Sequence, residues 1–204
     1  MHKRGYKTDT IIAPINEVLA AGMILLSGWN KKDNFHDPMC GSGTILIEAA
    51  LIAYNIPVNI FGEKFGFEGW KDFNKELWEI IKETSLNKER NYQGKIMGAD
   101  KFQKAVRISR RNIENALMHG NIKVKNSNFF ETEINPGTFV MFNPPYGERI
   151  DLGINDFYEK IGTTLKHNYH GCIIWLLSSD IENMKLIGLK PNRKMKLMNG
   201  DLEC

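Results

Sequence analysis

One short segment constrains the fold of this chain most: an apolar run that stops at two prolines. Residues Phe139 to Phe142 are aromatic or aliphatic throughout, as in a buried strand, and Asn143-Pro144-Pro145-Tyr146 follows directly. Proline lacks a backbone N–H and has a fixed φ, so strand pairing ends there and the chain leaves the sheet in a stiff, extended form. The pattern predicts a buried strand with a polar amide at its carboxyl end.

The residues at this strand end predict a site for a planar amino group, because ligands of open α/β sheets bind at the carboxyl edge. The side-chain oxygen of Asn143 and a neighbouring backbone carbonyl would form a pair of acceptors for an –NH2 group. Tyr146 would offer a flat surface to a planar ring. Taken alone, the two prolines are equally consistent with a stiffened loop.

Predicted strands and helices alternate along the chain, which indicates an α/β fold with a mostly parallel, doubly wound sheet. An insertion at 55–94, rich in aromatic and charged residues, either packs on the core or borders the substrate site. At the C-terminus, Asn199-Gly200 predicts the tight turn of an antiparallel hairpin within 190–204. The predicted helices are 15–26, 45–54, 75–84, 102–118 and 157–165, and the predicted strands are 34–37, 95–99, 122–126, 139–142 and 172–177.

Composition narrows the class of protein. With 204 residues, 42% of them hydrophobic, the chain suits a single domain over 1–204 with a helical lead-in at 1–30. No apolar run approaches the roughly 18 residues of a membrane span, and no signal core follows the N-terminus. The three cysteines are far apart and fit no metal spacing, so we expect reduced thiols, no metal and a cytoplasmic protein.

Positive charge is unevenly distributed, although the net charge is only +3. Seven basic residues accompany a single acid, Glu114, within 101–125, and the basic stretch 185–196 contains no acid. Such patches are typical of proteins with a polyanion partner. An ordinary amphipathic helix with a solvated basic face stays an equal alternative, because the apolar residues of 102–118 fall opposite the basic ones. These apolar residues are Phe102, Ala105, Val106, Ile113 and Leu117.

A glycine loop lies between the first predicted strand and the following helix, with the sequence Asp37-Pro38-Met39-Cys40-Gly41-Ser42-Gly43-Thr44. Glycines let the backbone approach a ligand closely, and the N–H groups of a helix start favour an anion. The loop is not a phosphate loop, because Lys-Ser/Thr does not follow the glycines. It is not the dinucleotide fingerprint either, because the third glycine is missing.

Two acids at strand ends sharpen the interpretation of this loop. Asp37 ends the first strand and suits the ammonium of an amino-acid-like ligand. Asp100 ends the second strand, where a carboxylate commonly binds ribose hydroxyls, although a helix cap would use the same residue. The usual spacing between such glycines and the acid that binds the ribose is about 20 residues, and the insertion explains why it is longer in this chain. A ligand with a carboxylate, an ammonium and a ribose is S-adenosylmethionine.

These motifs resemble a known family, the catalytic domain of THUMP-containing RNA methyltransferases (UPF0020). Within that group the chain is most similar to bacterial large-subunit ribosomal RNA guanine 2-amino methyltransferases. The resemblance covers nearly the whole chain and implies a Rossmann-like class I methyltransferase fold, without the THUMP domain that precedes it in the family. It rests on 37–44 with Glu48-Ala49-Ala50, Gly98-Ala99-Asp100, Asn143 to Arg149, Lys3-Arg4-Gly5-Tyr6, Ala13-Pro14 with Glu17, and Lys196 to Cys204.

The resemblance implies S-adenosylmethionine as cofactor, RNA as partner and a set of site residues. Asn128 departs from the family, which usually has Asp there to hold the adenine amine, although an amide oxygen still accepts that hydrogen bond. The implied cofactor residues are Asp37, Cys40, Gly41, Ser42, Gly43, Thr44, Asp100, Lys101, Asn128, Phe129 and Asn143. The implied catalytic residues are Asn143, Pro144, Pro145 and Tyr146.

The implied reaction is methyl transfer to the 2-amino group of a guanine, in ribosomal RNA first and tRNA second. The Asn143 oxygen and the Pro144 carbonyl would accept both N–H bonds, and Tyr146 would stack on the extruded base, worth about 1–3 kcal/mol. Rival substrates are an adenine 6-amino group in nucleic acid and a protein glutamine amide. A non-enzymatic RNA-binding module is the remaining alternative.

No strong base is required for this reaction, and we expect no histidine to act as one. We also expect Cys40 to be a small packing residue rather than a nucleophile. For Glu148 and Arg149 the sequence leaves two roles open, pairing with each other or contact with the RNA backbone, and we assign a role to neither. The histidines expected to be structural or exposed are His36, His119, His167 and His170.

Overall fold

The computed structural model describes residues 4–7, 15–58, 64–145 and 153–204, and its centre is a five-stranded sheet. The strand order is β3-β2-β1-β4-β5, with every neighbouring pair parallel. The chain moves outwards from β1 to β3 and then returns to the other side of β1. The predicted doubly wound sheet is therefore confirmed. The strands are β1 Phe35–Asp37, β2 Ile96–Asp100, β3 Ile122–Asn126, β4 Phe139–Phe142 and β5 Ile173–Leu176.

Helices cover both faces of the sheet, and each face has its own core. Alternation along β4 divides the two, because Met141 belongs to the core under α1, α2 and α4, whereas Val140 and Phe142 belong to the core under α5. None of the described helices is both long and apolar enough to cross a membrane. The helices are α1 Glu17–Leu26, α2 Thr44–Tyr54, α3 Lys75–Leu86, α4 Gln103–Asn115 and α5 Ile154–Asn168.

Aromatic rings fix the amino ends of the two central strands. Phe35 of β1 is the register partner of Phe139 of β4, and their rings stack with centroids 5.8 Å apart. The Trp29 ring packs on Phe35 at 4.8 Å. Aromatic pairs of this kind contribute about 0.5–1.5 kcal/mol each beyond the area they bury. The apolar contacts thus lie at one end of the sheet, and the polar residues lie at the other.

The segment between α2 and β2 forms a small aromatic cluster of its own. The Phe67 ring packs edge-on against Trp78 of α3 at 5.0 Å and stacks with Phe65 at 5.3 Å. No side chain of α3 is fully buried, and Trp70 remains 68% exposed. This part of the insertion therefore adds a satellite cluster, and its role at the substrate site stays a prediction. Phe61 lies outside the described residues.

The predicted C-terminal hairpin is present but shorter than expected. β6 Met198–Asn199 pairs with β7 Leu202–Glu203, and Gly200 takes the positive φ of 65° that the turn requires. Leu197 and Cys204 exchange both backbone hydrogen bonds. Residues 190–197, expected to extend the first strand, have no regular structure, because six of these eight residues are exposed and four of them are charged.

Candidate active site

Polar residues from three strands meet at the carboxyl edge of the sheet. β1 ends at Asp37, β2 ends at Asp100, and Asn143 follows β4 directly. Since β1 lies between β2 and β4, and neighbouring strands are about 4.8 Å apart, the two acids and the amide border one region. This region is the point where the strand order reverses, the usual ligand site of such sheets.

Asp100 fixes the glycine loop against the end of β2. The backbone N–H of Gly41 donates to its Oδ2 at 3.0 Å, and the N–H of Phe102 donates to its Oδ1 at 2.9 Å. The N–H of Cys40 also donates to the Ala99 carbonyl at 2.9 Å. Asp100 therefore holds the turn that leads into α4 and shapes the loop. It is not the helix cap that the alternative expected, because the N-cap position is Phe102 and no side chain caps this helix. Each carboxylate oxygen retains a second lone pair for a ligand hydroxyl.

Helix α2 begins at the glycine loop without a side-chain cap. Gly43 is its N-cap residue, with φ 81°, and its N–H donates to the Cys40 carbonyl at 2.7 Å. Ser42 and Thr44 are buried beside it, with their hydroxyls 3.3 Å apart. An uncapped helix start attracts a negatively charged group, because its N–H groups and the helix dipole both favour an anion.

Two side chains of α4 support the loop from behind, and the sequence analysis missed both. Ser109 and Asn112 are completely buried. Asn112 donates from Nδ2 to the Ser42 carbonyl at 2.9 Å, and Ser109 packs directly against Gly43. Their signal in the sequence was the spacing of two small polar residues, three apart, on the apolar face of an amphipathic helix.

The two acids are held in surroundings that favour a cation. Burial raises the pKa of Asp37 well above its usual range, and the nearby Asp100 charge adds to this, whereas the Met39 N–H opposes it. Burial also raises the pKa of Asp100, against the hydrogen bonds from Phe102 and Gly41. The Lys101 charge also opposes the rise at Asp100, whereas no cation among the described residues acts on Asp37. A ligand ammonium would lower both pKa values and stabilise the charged forms.

The strand that carries Asn143 ends as predicted. The Phe142 carbonyl accepts the N–H of Leu177 at 3.1 Å, and two residues later the prolines begin. Asn143 and Pro145 are half-buried, and Pro144 is buried. Tyr146 lies outside the described residues, as do Gly147, Glu148 and Arg149.

The remaining implied cofactor residues lie around the ends of β2 and β3. Lys101 is exposed. Asn128 uses its side chain locally, since Oδ1 accepts the Phe130 N–H at 3.2 Å and Nδ2 donates to Glu131 Oε1 at 2.8 Å. A second lone pair on Oδ1 remains for an adenine amine. Phe129 is buried in the core under α5.

The expectation that Phe102 and Leu117 belong to the buried face of α4 is wrong. Phe102 is 55% exposed because α4 begins only after it, and the Lys101 ammonium lies 4.7 Å from its ring centroid. Leu117 is 54% exposed because its φ of 58° ends the helical path before it. An exposed ring next to Asp100 is a further candidate to contact a planar ligand group.

The histidine and the cysteine near the edge are both buried, which agrees with the expectation that they are structural. His36 is buried, its Nδ1 lies 3.2 Å from the Met97 carbonyl, and burial lowers its pKa to about 4. Burial raises the pKa of the Cys40 thiol, so that this cysteine stays neutral. The described portions of the chain contain no group of three or more potential metal ligands. His119, His167 and His170 are exposed.

A buried charge network ties the N-terminal segment to α2. Glu48 accepts a hydrogen bond from the Tyr6 hydroxyl at 2.8 Å and forms an ion pair with Arg4 at 2.9 Å. Burial raises the pKa of Glu48 to about 7 despite these two partners. The resemblance included all three residues without assigning them a role. Their contact attaches the segment one turn behind the glycine loop.

The sequence matches one family over nearly its whole length. The family described as UPF0020, RMKL-like methyltransferase domain, matches residues 4–204. The ribosomal RNA large subunit methyltransferase K/L of Shewanella pealeana is 40% identical over 214 residues, covering 100% of this chain and 30% of that protein. The putative RNA methyltransferase slr0064 of Synechocystis is 33% identical, covering 100% of this chain and 54% of that protein. The chain thus spans about a third to a half of these relatives.

Solved structures share the same fold. SMU.472, a putative methyltransferase complexed with SAH, has a TM-score of 0.89 and 34% identity, covering 98% of this chain and 53% of that chain. A predicted N6-adenine-specific DNA methylase from Listeria monocytogenes has a TM-score of 0.83 and 30% identity, covering 95% of this chain and 51% of that chain. These similarities confirm the Rossmann-like methyltransferase fold expected from the sequence.

Proposed function

The chain belongs to the RMKL-like methyltransferase domain family, and from this membership we propose that it methylates the 2-amino group of a guanine in large-subunit ribosomal RNA, with S-adenosylmethionine as methyl donor. The Shewanella relative supports the RNA class, since its name is that of a ribosomal RNA methyltransferase. SMU.472 supports the cofactor, since it was solved with SAH. A ribosomal substrate also fits the cytoplasmic location expected from the cysteines.

The described residues fit such a cofactor. The uncapped start of α2 at Gly43 suits its carboxylate. Asp37, buried and without a protein cation among the described residues, suits its ammonium. Asp100 has lone pairs left for the ribose hydroxyls. When bound, the cofactor supplies an electrophilic methyl group on a sulfonium sulfur.

The observation that carries the proposal is the place of Asn143. It follows β4, the strand next to β1. Since His36 pairs with Val140, the amide lies one strand spacing to the side of β1 and two residues further along than Asp37. An amine held there has its two N–H bonds directed at the Asn143 oxygen and the Pro144 carbonyl. That arrangement favours a pyramidal nitrogen with its lone pair directed towards the methyl donor.

Orientation rather than proton removal is the main contribution of these residues. An aromatic amine is a poor nucleophile because its lone pair is delocalised into the ring. Holding it in line with the methyl group turns an unfavourable encounter into an intramolecular step, an effect that reaches about 7–11 kcal/mol in well-oriented systems. His36 is the buried histidine of the edge, and its low pKa and its contact with Met97 fit a structural role.

A second candidate substrate is the 6-amino group of adenine. The Listeria relative is described as an adenine-specific DNA methylase, and an amide oxygen beside a carbonyl recognises any planar –NH2 group. A guanine of tRNA is the nearest alternative within RNA. The substrate assay therefore has to include all three nucleic acids.

The test compares the wild-type chain with Asn143→Ala. Calorimetric titration with S-adenosylmethionine is expected to show binding to both proteins. With tritiated cofactor, large-subunit ribosomal RNA is expected to yield N2-methylguanosine, and the variant is expected to be slower by about 100-fold or more. Absence of cofactor binding by the wild type would overturn the enzyme proposal. N6-methyldeoxyadenosine from DNA, or a product only on tRNA, would overturn the proposed substrate.

A further inference from the structure

Helix α4 has two faces with different partners. Its inner face holds the glycine loop, through Ser109 against Gly43 and through the hydrogen bond from Asn112 to the Ser42 carbonyl. Its outer face carries Lys104, Arg107 and Arg111, all exposed. These three residues, spaced three and four apart, form one stripe along the helix, which we call the α4 basic stripe.

Resting on the proposed function, we propose that the α4 basic stripe binds the phosphate backbone of the substrate RNA beside the target nucleotide. The first and last residues of the stripe are seven positions apart, which is about 10 Å along the helix axis. Phosphates of one strand of double-stranded DNA advance about 3.4 Å per nucleotide along the axis, and we use this value as a guide to the spacing along an RNA strand. The stripe therefore matches roughly three consecutive nucleotides.

The charge pattern of α4 differs from that of an ordinary solvated helix in the same chain. Helix α3 is also exposed, but its sequence mixes three acids with two lysines, and Lys82 pairs with Glu79 at 2.7 Å. Helix α4 has four basic residues and a single acid, Glu114. Within the residues that the structure describes, no carboxylate forms an ion pair with Lys104 or Arg107. The stripe thus has cationic groups in excess of the acids that would neutralise them.

A fourth basic residue fixes the helix to the edge of the sheet. Arg110 donates from Nη2 to the Val124 carbonyl of β3 at 2.7 Å. The two basic residues of β3 itself are Lys123 and Lys125. They alternate with buried residues of the core under α4, so they lie on the opposite face of the sheet. The seven basic residues of 101–125 are therefore not one patch, and only the stripe follows α4.

The position of the stripe defines which part of the RNA it contacts. α4 begins three residues after Asp100 and connects β2 to β3. Three strand spacings of about 4.8 Å separate β3 from β4, and the stripe lies on the outer face of α4, so it is more than about 14 Å from the strand that carries Asn143. At that distance the contact is with nucleotides flanking the target base. It should strengthen RNA binding without selecting the base or affecting the cofactor.

The test removes equal charge from two basic surfaces of the full chain. One variant carries Lys104→Gln, Arg107→Gln and Arg111→Gln. The matched control carries Lys190→Gln, Arg193→Gln and Lys194→Gln in the exposed 190–197 segment. Both are titrated with a large-subunit ribosomal RNA fragment over a range of salt concentrations. Thermal unfolding and calorimetry with S-adenosylmethionine show whether each variant is folded and binds cofactor.

The stripe variant is expected to bind RNA at least about tenfold more weakly, and its slope of log affinity against log salt is expected to fall by about 2–3. The control variant should change the slope by less than about 1, and cofactor affinity should stay within about twofold in both. An equal loss in the two variants, or no loss in the stripe variant, would overturn the proposal. RNA binding lost with the stripe, in a wild-type chain that transfers no methyl group, would support the stripe and overturn the proposed function.

Discussion

The hydroxyl of Ser109 lies so close to Gly43 that a β-carbon built on Gly43 would be 2.5 Å from Ser109 Oγ. Gly43 also has a φ of 81°, a conformation that side chains of L-residues rarely adopt. Two independent constraints therefore require glycine at the start of α2. Together they place the loop that we assign to the cofactor directly on α4.

We expect Gly43→Ala to destabilise the chain and to weaken cofactor binding, because the backbone strain and the contact with Ser109 act together. Gly28→Ala is the matched control, since Gly28 has a φ of 75° but open space around its β position. Strain of this kind costs about 1–2 kcal/mol, so urea unfolding should show a larger loss for Gly43→Ala. Adding Ser109→Ala, which removes the nearest atom, Oγ, without placing a glycine inside α4, should recover most of the excess and leave the strain.

A loss for Gly43→Ala no greater than that for Gly28→Ala would contradict the close packing. Cofactor affinity, measured by calorimetry on the same proteins, should fall only for Gly43→Ala. The control changes the backbone far from the carboxyl edge of the sheet.

Asp100→Asn should loosen the glycine loop, although it changes one atom. The two carboxylate oxygens accept N–H groups from Gly41 and Phe102. An amide offers one oxygen and one NH2 group, so one of these donors would face another donor. A buried unsatisfied polar group costs about 1–3 kcal/mol, and we expect cofactor affinity to fall by about tenfold or more. Asp201→Asn, an exposed residue of the hairpin turn, makes the same chemical change and should have no effect on calorimetric titration.

The strand ends that carry the site could be predicted from the sequence because local rules determine them. Prolines end β4 at Asn143 whatever the surroundings, and short apolar runs bounded by Asp37 and Asp100 indicate strands that end at these acids. Alternation with helices then places all three residues at one edge. Family resemblance added a guanine in RNA as the expected substrate, which these residues alone do not give.

The contacts behind the site could not be predicted, because they depend on tertiary packing. Ser109 meets Gly43 only once α4 crosses behind α2, and Glu48 meets Arg4 across more than 40 residues of sequence. The predicted apolar face of α4 was too long, because the periodicity of hydrophobic residues does not show where a helix ends. The left-handed φ of Leu117 ends it earlier.

Gly162→Ala should be strongly destabilising, because α5 packs with almost no space against the turn at 183–187. A β-carbon on Gly162 would overlap the carbonyl of Ile187, so one of the two segments would have to move. Overpacking of this kind costs about 1–3 kcal/mol, which corresponds to a decrease in Tm of several degrees. Gly22→Ala in α1 is the control, and its effect on stability should have the opposite sign, since nothing lies within 4 Å of its β position. There alanine should stabilise the helix by about 0.5–1 kcal/mol. Equal changes in the Tm of the two variants would exclude the steric explanation.

The buried Glu48 should make stability fall as pH rises. Its pKa is raised from an ordinary value of 4.5 to about 7, mainly by burial, against the Arg4 ion pair and the Tyr6 hydrogen bond. Glu17 adds to the rise and Lys7 opposes it. Between pH 4.5 and 7 the folded chain therefore retains a proton that the unfolded chain has released. Stability decreases across that window by up to about 3 kcal/mol and is then constant.

Glu48→Gln removes this titration, so we expect its stability relative to the wild type to rise from pH 4.5 to pH 7. His36 titrates in the same range with the opposite sign. Its pKa is lowered to about 4, so its contribution to stability is lost as pH falls from 6.5 towards 4. Since both proteins contain His36, its effect cancels in the difference between their unfolding free energies.

Urea unfolding at four pH values from 4.5 to 7.5 measures that difference. A flat result for Glu48→Gln would show that Glu48 does not retain its proton in the folded chain.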